Sequence, residues 1–421
     1  MSPQARCQIR CFANSPIPSL GLFVLLIAAL LSASTVRAGL ASAFPSPGLA
    51  PAPAVPRNII LFIGDGMGAV HRTAAQWVQV GVAGELNMDD LPVSGWSRTA
   101  SADNAVTDSA AGATALATGV RTNNGWLAIA PDHSLLTTIL EYARTESKSA
   151  GLVTTVQVWH ATPAAFAAHV EDRNLMDEIA GQMFDEGVEV LMGGGENQFL
   201  PSSVAGCFGN GTRADSRNLL AEAASAGYAR VCTALELEAI DASTTTRLVG
   251  LFADEEMSRP YSPDLATMTR RAIDVLSGDP QGFFLMVEGG RIDKAAHANN
   301  GADAIADTLG LDEAVAVGKD FAASAGNTLV IVTADHETGG MALVPGTACA
   351  APNGPFAIVD GGQFCVTWTT TGHTSADVPV TAGGPFSHML SGSFDNTHIF
   401  DAMYRALVFD ESLFLPLLLR D

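Results

Sequence analysis

Four stretches of this chain place metal-binding or proton-handling side chains directly after apolar runs. Asn58 to Ile63 runs into Gly64-Asp65-Gly66-Met67-Gly68, and Ala150 to Thr155 leads to His160-Ala161-Thr162-Pro163. Phe283 to Val287 leads to Glu288-Gly289-Gly290, and Thr328 to Thr333 leads to Ala334-Asp335-His336-Glu337. In an open α/β sheet, ligands bind beyond the carboxyl ends of the strands, so polar residues at such positions are candidates for chemistry. Asp293 and His297 add a spacing of four, which puts two side chains on one helix face where both can grip a single cation. His373, in Thr371-Gly372-His373-Thr374, is a further imidazole. Asp, Glu and neutral His are the donors that Zn²⁺ and Mg²⁺ take, which makes a catalytic metal centre the reading that unites these segments.

Taken singly, each has a plainer explanation. Asp65 between two glycines suits a turn. Asp335-His336 suits a helix cap and a surface histidine, Asp293 with His297 suits a solvated pair, and His373 suits an ordinary loop. Ser109 opens a small-residue helix in Thr107-Asp108-Ser109-Ala110-Ala111-Gly112-Ala113-Thr114. Unpaired N–H groups at a helix start favour an anion, yet a serine there is more often a cap than a nucleophile. The combination, with carboxylates and imidazoles gathered at one sheet edge, favours the nucleophile.

The elements that must position these residues alternate along the chain. Asn58 to Ile63, Ala150 to Thr155, Val188 to Met192, Phe283 to Val287 and Thr328 to Thr333 read as buried strands. Helices are expected around Ala69 to Val80, Ser109 to Thr118, Leu175 to Glu186, Pro263 to Ser277, Ala302 to Ser324 and Asn396 to Val408. The alternation predicts an α/β fold, a large central, mostly parallel β-sheet flanked by helices on both faces. Residues 57–421 are expected to form a single domain, with insertions near 201–246 and 344–370.

Val106-Thr107-Asp108-Ser109-Ala110-Ala111-Gly112-Ala113-Thr114 resembles the signature of the alkaline phosphatases, and the likeness extends across most of the folded chain. That resemblance implies a three-layer fold and a metal-dependent hydrolase of phosphate monoesters that uses two zinc ions, one magnesium ion and a covalent phosphoserine at Ser109. It makes Asp65 a bridge between one zinc and the magnesium, with Thr162 and Glu288 completing the magnesium set. Asp293, His297 and His373 are then similar to the first zinc site, and Asp335, His336, Asp65 and Ser109 to the second. Arg173, in Ala168-His169-Val170-Glu171-Asp172-Arg173, is similar to the arginine that clamps substrate phosphate, with Asp108 orienting it. His160 and Lys294 fall in the outer shell of the magnesium, beside the substrate. His160 stands where the periplasmic bacterial enzymes often carry Asp and the animal enzymes His, while Lys294 keeps the bacterial residue. An imidazole in place of a carboxylate lowers the local negative charge, so the third metal site is where this chain departs from the bacterial pattern. Homodimerisation is common in the family and is carried over as an expectation without an assigned interface.

Two rival readings compete with this one. A sulfatase of the same superfamily needs a C/S-x-P-x-R setting, whereas Ser109 is followed by Ala-Ala-Gly; its phosphodiesterases usually carry Thr as nucleophile and lack the magnesium set. A non-catalytic exported metal- or phosphate-binding protein needs neither a nucleophile nor an open metal position.

Composition bounds the setting. Arg6 and Arg10 precede an apolar run from Leu20 to Leu31, and small residues lead to Val36-Arg37-Ala38, which suits a signal peptide spanning residues 1–38. The run is about a dozen residues where a membrane span needs roughly 20, so cleavage and a periplasmic or extracellular location are expected, with no membrane span in the mature chain. Residues 39–56 are rich in Ala and Pro and read as an extended lead-in, and Leu413 to Leu419 is a short apolar stretch suited to packing on the core. Loss of Arg6, Arg10 and Arg37 takes the net charge from −22 to −25, and no basic run remains to track a phosphate backbone, so no nucleic-acid-binding surface is expected, and the partners the resemblance implies are small phosphomonoesters. Cys207, Cys232, Cys349 and Cys365 remain after cleavage, an even number that suggests two disulfides in any of three pairings, the two local ones closing the shortest loops.

Overall fold

Asn58–Ile63 contributes six consecutive buried side chains to the computed structural model, which describes residues 57–408. The expected signal peptide, the Ala/Pro-rich lead-in and the Leu413 to Leu419 stretch lie outside the described residues. In this first strand, Ile59, Leu61 and Ile63 join one hydrophobic cluster, while Ile60 and Phe62 join another on the opposite face. The period-two alternation of a strand thus feeds two cores at once, as a sheet covered on both sides requires. Each fully buried Ile, Leu or Phe is worth about 1.5–3 kcal/mol, so the strand is a stiff platform for the Gly64–Gly68 turn at its carboxyl end.

The strands are numbered in chain order: β1 Asn58–Ile63, β2 Val93–Arg98, β3 Ser149–Gln157, β4 Val190–Gly194, β5 Ala229–Val231, β6 Leu248–Leu251, β7 Phe283–Glu288 and β8 Thr328–Thr333. They continue as β9 Glu337–Thr338, β10 Ala342–Pro345, β11 Phe356–Ala357, β12 Gln363–Thr367, β13 His373–Thr374, β14 Val378–Gly383 and β15 Gly392–Asp395. Ten of them form one sheet in the order β15-β2-β14-β8-β1-β7-β3-β4-β6-β5. From β8 to β5 every neighbour is parallel, β14 runs against both β8 and β2, and β15 pairs with β2 in parallel. Helices Ser109–Thr118, Ile139–Thr145 and Thr397–Val408 cover one face through Ala113, Leu116, Ile139 and Met403. Leu265–Leu276 and Gly301–Ala325 cover the other through Met268, Ile273, Leu311 and Val315. The large, mostly parallel sheet between two helical layers is the fold expected from the alternating pattern. No helix among the described residues is long and apolar enough to cross a membrane.

The trio β14, β2 and β15 extends the sheet beyond the strands expected. β2 alternates exposed and buried residues around Gly95 and Trp96, so it lacks the unbroken apolar run that marks the central strands. The 201–246 segment includes the edge strand β5, and the 344–370 segment supplies most of a separate three-stranded sheet, β10-β12-β11. Disulfides Cys207–Cys232 and Cys349–Cys365 staple these two regions, which settles the pairing in favour of the two local bridges.

Register brings the polar segments to one level. Ile63 pairs with Glu288 on one side and Thr333 on the other, and Thr154 pairs with Glu288 in turn. Asp65 and Asp335 each lie two residues past that line. Helix Ser109–Thr118, fully buried and made of small residues, then packs close against the same edge. A Cβ added at its Gly112 would sit 3.0 Å from the Asp335 carbonyl oxygen, which explains the absence of a side chain there.

Candidate metal centre

Three groups of donors meet around the start of helix Ser109–Thr118. Asp65, Asp335 and His336 form one, Asp293, His297 and His373 a second, and Asp65, His160 and Glu288 a third, with the donor atoms of each group within 4.8 Å of one another. His336 Nε2 lies 3.5 Å from Asp65 Oδ1, 3.4 Å from Asp335 Oδ2 and 3.3 Å from Ser109 Oγ. In the second group, His297 Nε2 is 3.3 Å from Asp293 Oδ2 and His373 Nε2 is 3.6 Å from Asp293 Oδ1. The rings of His336 and His373 stack at 3.7 Å between centroids, so the two groups share a wall. Asp65 belongs to the first and third groups at once.

The hydrogen bonding is incomplete in a revealing way. Both Asp65 oxygens, Glu288 Oε1, Asp335 Oδ2 and His160 Nδ1 are buried without a hydrogen-bond partner. An unpaired buried polar group costs about 1–3 kcal/mol and a charged one more, so a cluster of them is retained only where something else satisfies it. The carboxylate oxygens among these atoms are lone-pair donors suited to a divalent cation.

Electrostatics point the same way. Burial pushes Asp65 well above the ordinary carboxylate range, and the charges of Asp335, Asp293 and Glu288 push it further. Asp335 is raised to about 8 by burial, against the hydrogen bond from the Gly66 N–H. Glu288 is raised to about 7 by burial, against the hydrogen bond from Thr154. Burial also opposes charge on Asp293, but there the hydrogen bond from His297 helps to outweigh it and holds the carboxyl below its usual range. His336 is held well below the usual imidazole range by burial and then by the charge of His373, and His160 by burial and then by Arg173 and Lys294. Neutral imidazoles are ready to ligate, and the resistance of the carboxylates to ionising together is what bound cations would reverse.

The outer partners fix the ring tautomers. His297 Nδ1 lies 2.5 Å from the Thr371 carbonyl oxygen, and His373 Nδ1 lies 2.9 Å from that of Thr107. A carbonyl only accepts, so Nδ1 carries a proton in both rings, and Nε2, which donates to Asp293 while the His297 ring is charged, is the lone-pair nitrogen of the neutral ring.

The phosphate side is built from neighbouring chain. Asp108, not Ser109, caps the helix: its Oδ1 accepts from the Ala111 N–H at 3.0 Å. Ser109 is therefore free of the capping duty, and its hydroxyl faces His336. Asp108 Oδ2 also accepts from Arg173 Nη1 at 2.9 Å and from the Gly125 N–H at 3.1 Å, while the Arg173 N–H donates to the Gly125 carbonyl at 2.8 Å. The guanidinium is thereby fixed at both its base and its fork, and Nη2 comes within 3.4 Å of His160 Nε2.

All the residues singled out in the sequence come to this edge. Thr162 is buried on the short helix Ala161–Ala164, directly after His160. Lys294 lies half-buried on helix Arg291–His297, where its charge acts on Glu288 and His160. His160, expected in the outer shell, has a donor atom as close to Asp65 and Glu288 as a ligand would need. Three participants were not anticipated. Thr154 donates to Glu288 Oε2 at 2.5 Å, Glu337 accepts from Thr374 Oγ1 across the β9–β13 pair, and Thr338 donates to Asp293 Oδ1 at 2.6 Å. Thr338 lies two residues past His336, and in extended chain that spacing returns to the same face; this was the available clue.

Comparison with known proteins places the chain among relatives. The alkaline phosphatase family profile matches residues 56–353 and 361–409. Streptomycin-6-phosphate phosphatase of Streptomyces griseus is 36% identical over 448 residues, covering 92% of this chain and 95% of that protein. Alkaline phosphatase of Escherichia coli (strain K12) is 33% identical over 410 residues, covering 83% and 86%. The solved alkaline phosphatase of the Antarctic bacterium TAB5 superposes with a TM-score of 0.75 at 33% identity, covering 85% of this chain and all of that one, and a histidine-to-aspartate variant of it has Mg bound in its M3 site.

Proposed function

We propose, from the premise that this chain belongs to the alkaline phosphatase family and hydrolyses phosphate monoesters, that Ser109 is the nucleophile of a three-metal centre made of the donor groups above. The observation that carries this reading is the set of orphaned atoms on Asp65, Glu288, Asp335 and His160 around one serine relieved of capping. Two zinc ions fit Asp293, His297 and His373 and then Asp65, Asp335, His336 and Ser109; one magnesium ion fits Asp65, Thr162 and Glu288, with His160 adjoining. Bound there, the cations would neutralise charge on the phosphoryl oxygens and acidify both the Ser109 hydroxyl and the attacking water.

The chain's own groups do the rest. Ser109 Oγ attacks phosphorus, the bond from phosphorus to the alcohol oxygen breaks, and the alcohol leaves with a proton. Water then attacks the phosphoserine, the Oγ–P bond breaks, and Ser109 is restored as inorganic phosphate departs. Arg173 holds two phosphoryl oxygens in its planar fork, and Asp108 keeps that fork aimed while capping the helix that carries Ser109. N–H groups at the start of that helix add a fixed positive end. His160 and Lys294 border the Glu288 side of the site, where they shape the third cation's surroundings.

The two disulfides accord with an exported protein, and cleavage after Ala38 would deliver it to the periplasm or beyond. Acid quenching during turnover of an aryl phosphate, with mass spectrometry of the digested protein, tests the covalent step. A phosphorylated peptide containing Ser109 is expected, lost on treatment with chelator and regained with Zn²⁺ and Mg²⁺. Turnover without any phosphopeptide would refute the reading. Streptomycin 6-phosphate, the substrate named for one relative, belongs in the same assay as a candidate monoester.

A further inference from the structure

Two of the three imidazoles near Asp293 send their Nδ1 proton to a main-chain carbonyl, His297 to Thr371 and His373 to Thr107. His336 has no such carbonyl. Its Nδ1 instead lies 3.2 Å from the hydroxyl of Thr338, whose oxygen is also 2.6 Å from Asp293 Oδ1. A threonine hydroxyl has one proton to give, and an ionised carboxylate can only accept. The Thr338 proton therefore goes to Asp293, and the hydroxyl oxygen must accept at His336, which puts the ring proton on Nδ1. His336 Nε2 is left with its lone pair, facing Ser109, Asp65 and Asp335. One hydroxyl thus sets the tautomer of a ligand in one zinc group and the orientation of a ligand in the other.

The surroundings hold that hydroxyl in place. Thr338 is fully buried, and its N–H donates to the Gly66 carbonyl at 3.0 Å, within the turn that carries Asp65. Across the β9–β13 pair it lies opposite His373. Gly66 has φ +69, and a Cβ there would come within 2.7 Å of Thr338 Oγ1 and 2.9 Å of Asp293 Oδ1. Glycine at 66 is required both by that left-handed turn and by the room the Thr338–Asp293 contact takes.

We infer that Thr338 is a positioning residue that couples the two zinc sites through the chain His336 Nδ1–H to Thr338 Oγ1–H to Asp293 Oδ1. This rests on the metal-centre reading above. Partners of this kind typically contribute 10–100-fold in metal affinity, so Thr338→Val, which keeps the shape and loses the hydroxyl, should weaken zinc at both sites by roughly that factor. Thr338→Ser should restore it.

The test is zinc titration of wild type, Thr338→Val and Thr338→Ser against a competing chelator, with ¹⁵N NMR of His336 in the wild type. Support is weakened affinity at both zinc sites in the valine variant, rescue by serine, and a protonated Nδ1 in the wild-type ring. Wild-type affinity in the valine variant, equal loss in the serine variant, or a ring protonated at Nε2 overturns the coupling. A wild-type chain that takes up no zinc overturns both the coupling and the metal centre. If the valine variant does not fold, the wild-type ring protonation still decides.

Discussion

The two ends of the same parallel strands are built to opposite rules. Where β1, β3, β7 and β8 begin, polar groups are matched. Asn58 Nδ2 donates to Thr328 Oγ1 at 3.1 Å, Lys148 Nζ to the carbonyls of Arg57 and Gln281 at 3.0 and 2.6 Å, and Ser149 Oγ to Asp279 at 2.6 Å. Glu189 accepts from the Ala150 N–H at 2.9 Å and pairs with Arg144 at 3.2 Å. Where the same strands end, Asp65, Glu288 and Asp335 crowd like charges together with oxygens unpaired. The contrast separates a stabilising edge from a working one, where local consistency gives way to function.

The sharpest test of that separation removes the nucleophile. Ser109→Ala should lower turnover by about three orders of magnitude or more, with metal content and melting temperature near wild type, read by steady-state kinetics, metal analysis and calorimetry. Activity near wild type would break the covalent assignment. Arg173→Ala should reduce kcat/KM by roughly 10–100-fold, the loss of a charge-assisted fork, and weaken inhibition by inorganic phosphate in step. Unchanged phosphate inhibition would remove the clamp.

Chelation probes the working edge as a whole. Glu288 and Asp335 have folded values of about 7 and 8, above those of the unfolded chain, so the folded metal-free protein binds more protons than the unfolded one. Their stability contribution therefore falls as pH rises from about 7.5 to 8.5, a window above the unfolded histidine value, where His160 and His336 are neutral in both states. His297, raised first by its hydrogen bond to Asp293, loses its contribution in the same direction. The chelated protein should melt progressively lower across this window, and the gap to the metal-loaded protein should widen by several degrees. A constant or narrowing gap in a pH series of thermal melts would contradict the reading.

At the matched edge the expectation is reversed and smaller. Glu189→Ala should cost about 1–3 kcal/mol of stability in denaturant titration, through the lost contacts to Ala150 and Arg144, while kcat stays within about twofold. A large loss of activity would show that the two edges are not independent.

Much of this was legible in the sequence because the working strands are buried on both faces. NIILFI and TLVIVT are unbroken apolar runs, and the polar residues that end them are conspicuous for that reason. β14, β2 and β15 were not legible: they carry Pro379, Gly95 and Gly392, and β2 alternates as half-exposed strands do. The capping role also escaped the sequence, since Asp108 and Ser109 are both good caps and only the backbone decides between them. Thr338 escaped for another reason. Its meaning depends on Asp293, 45 positions away, and on a turn at Gly66 that brings the two together.

The central claim is that cations surround Ser109. Diffraction from crystals of the zinc-loaded protein, recorded on both sides of the zinc absorption edge, tests it most directly. Two anomalous peaks are predicted, one among Asp293, His297 and His373 and one among Asp65, Asp335, His336 and Ser109. Peaks only at the surface, or none within coordination distance of these side chains, would contradict the account.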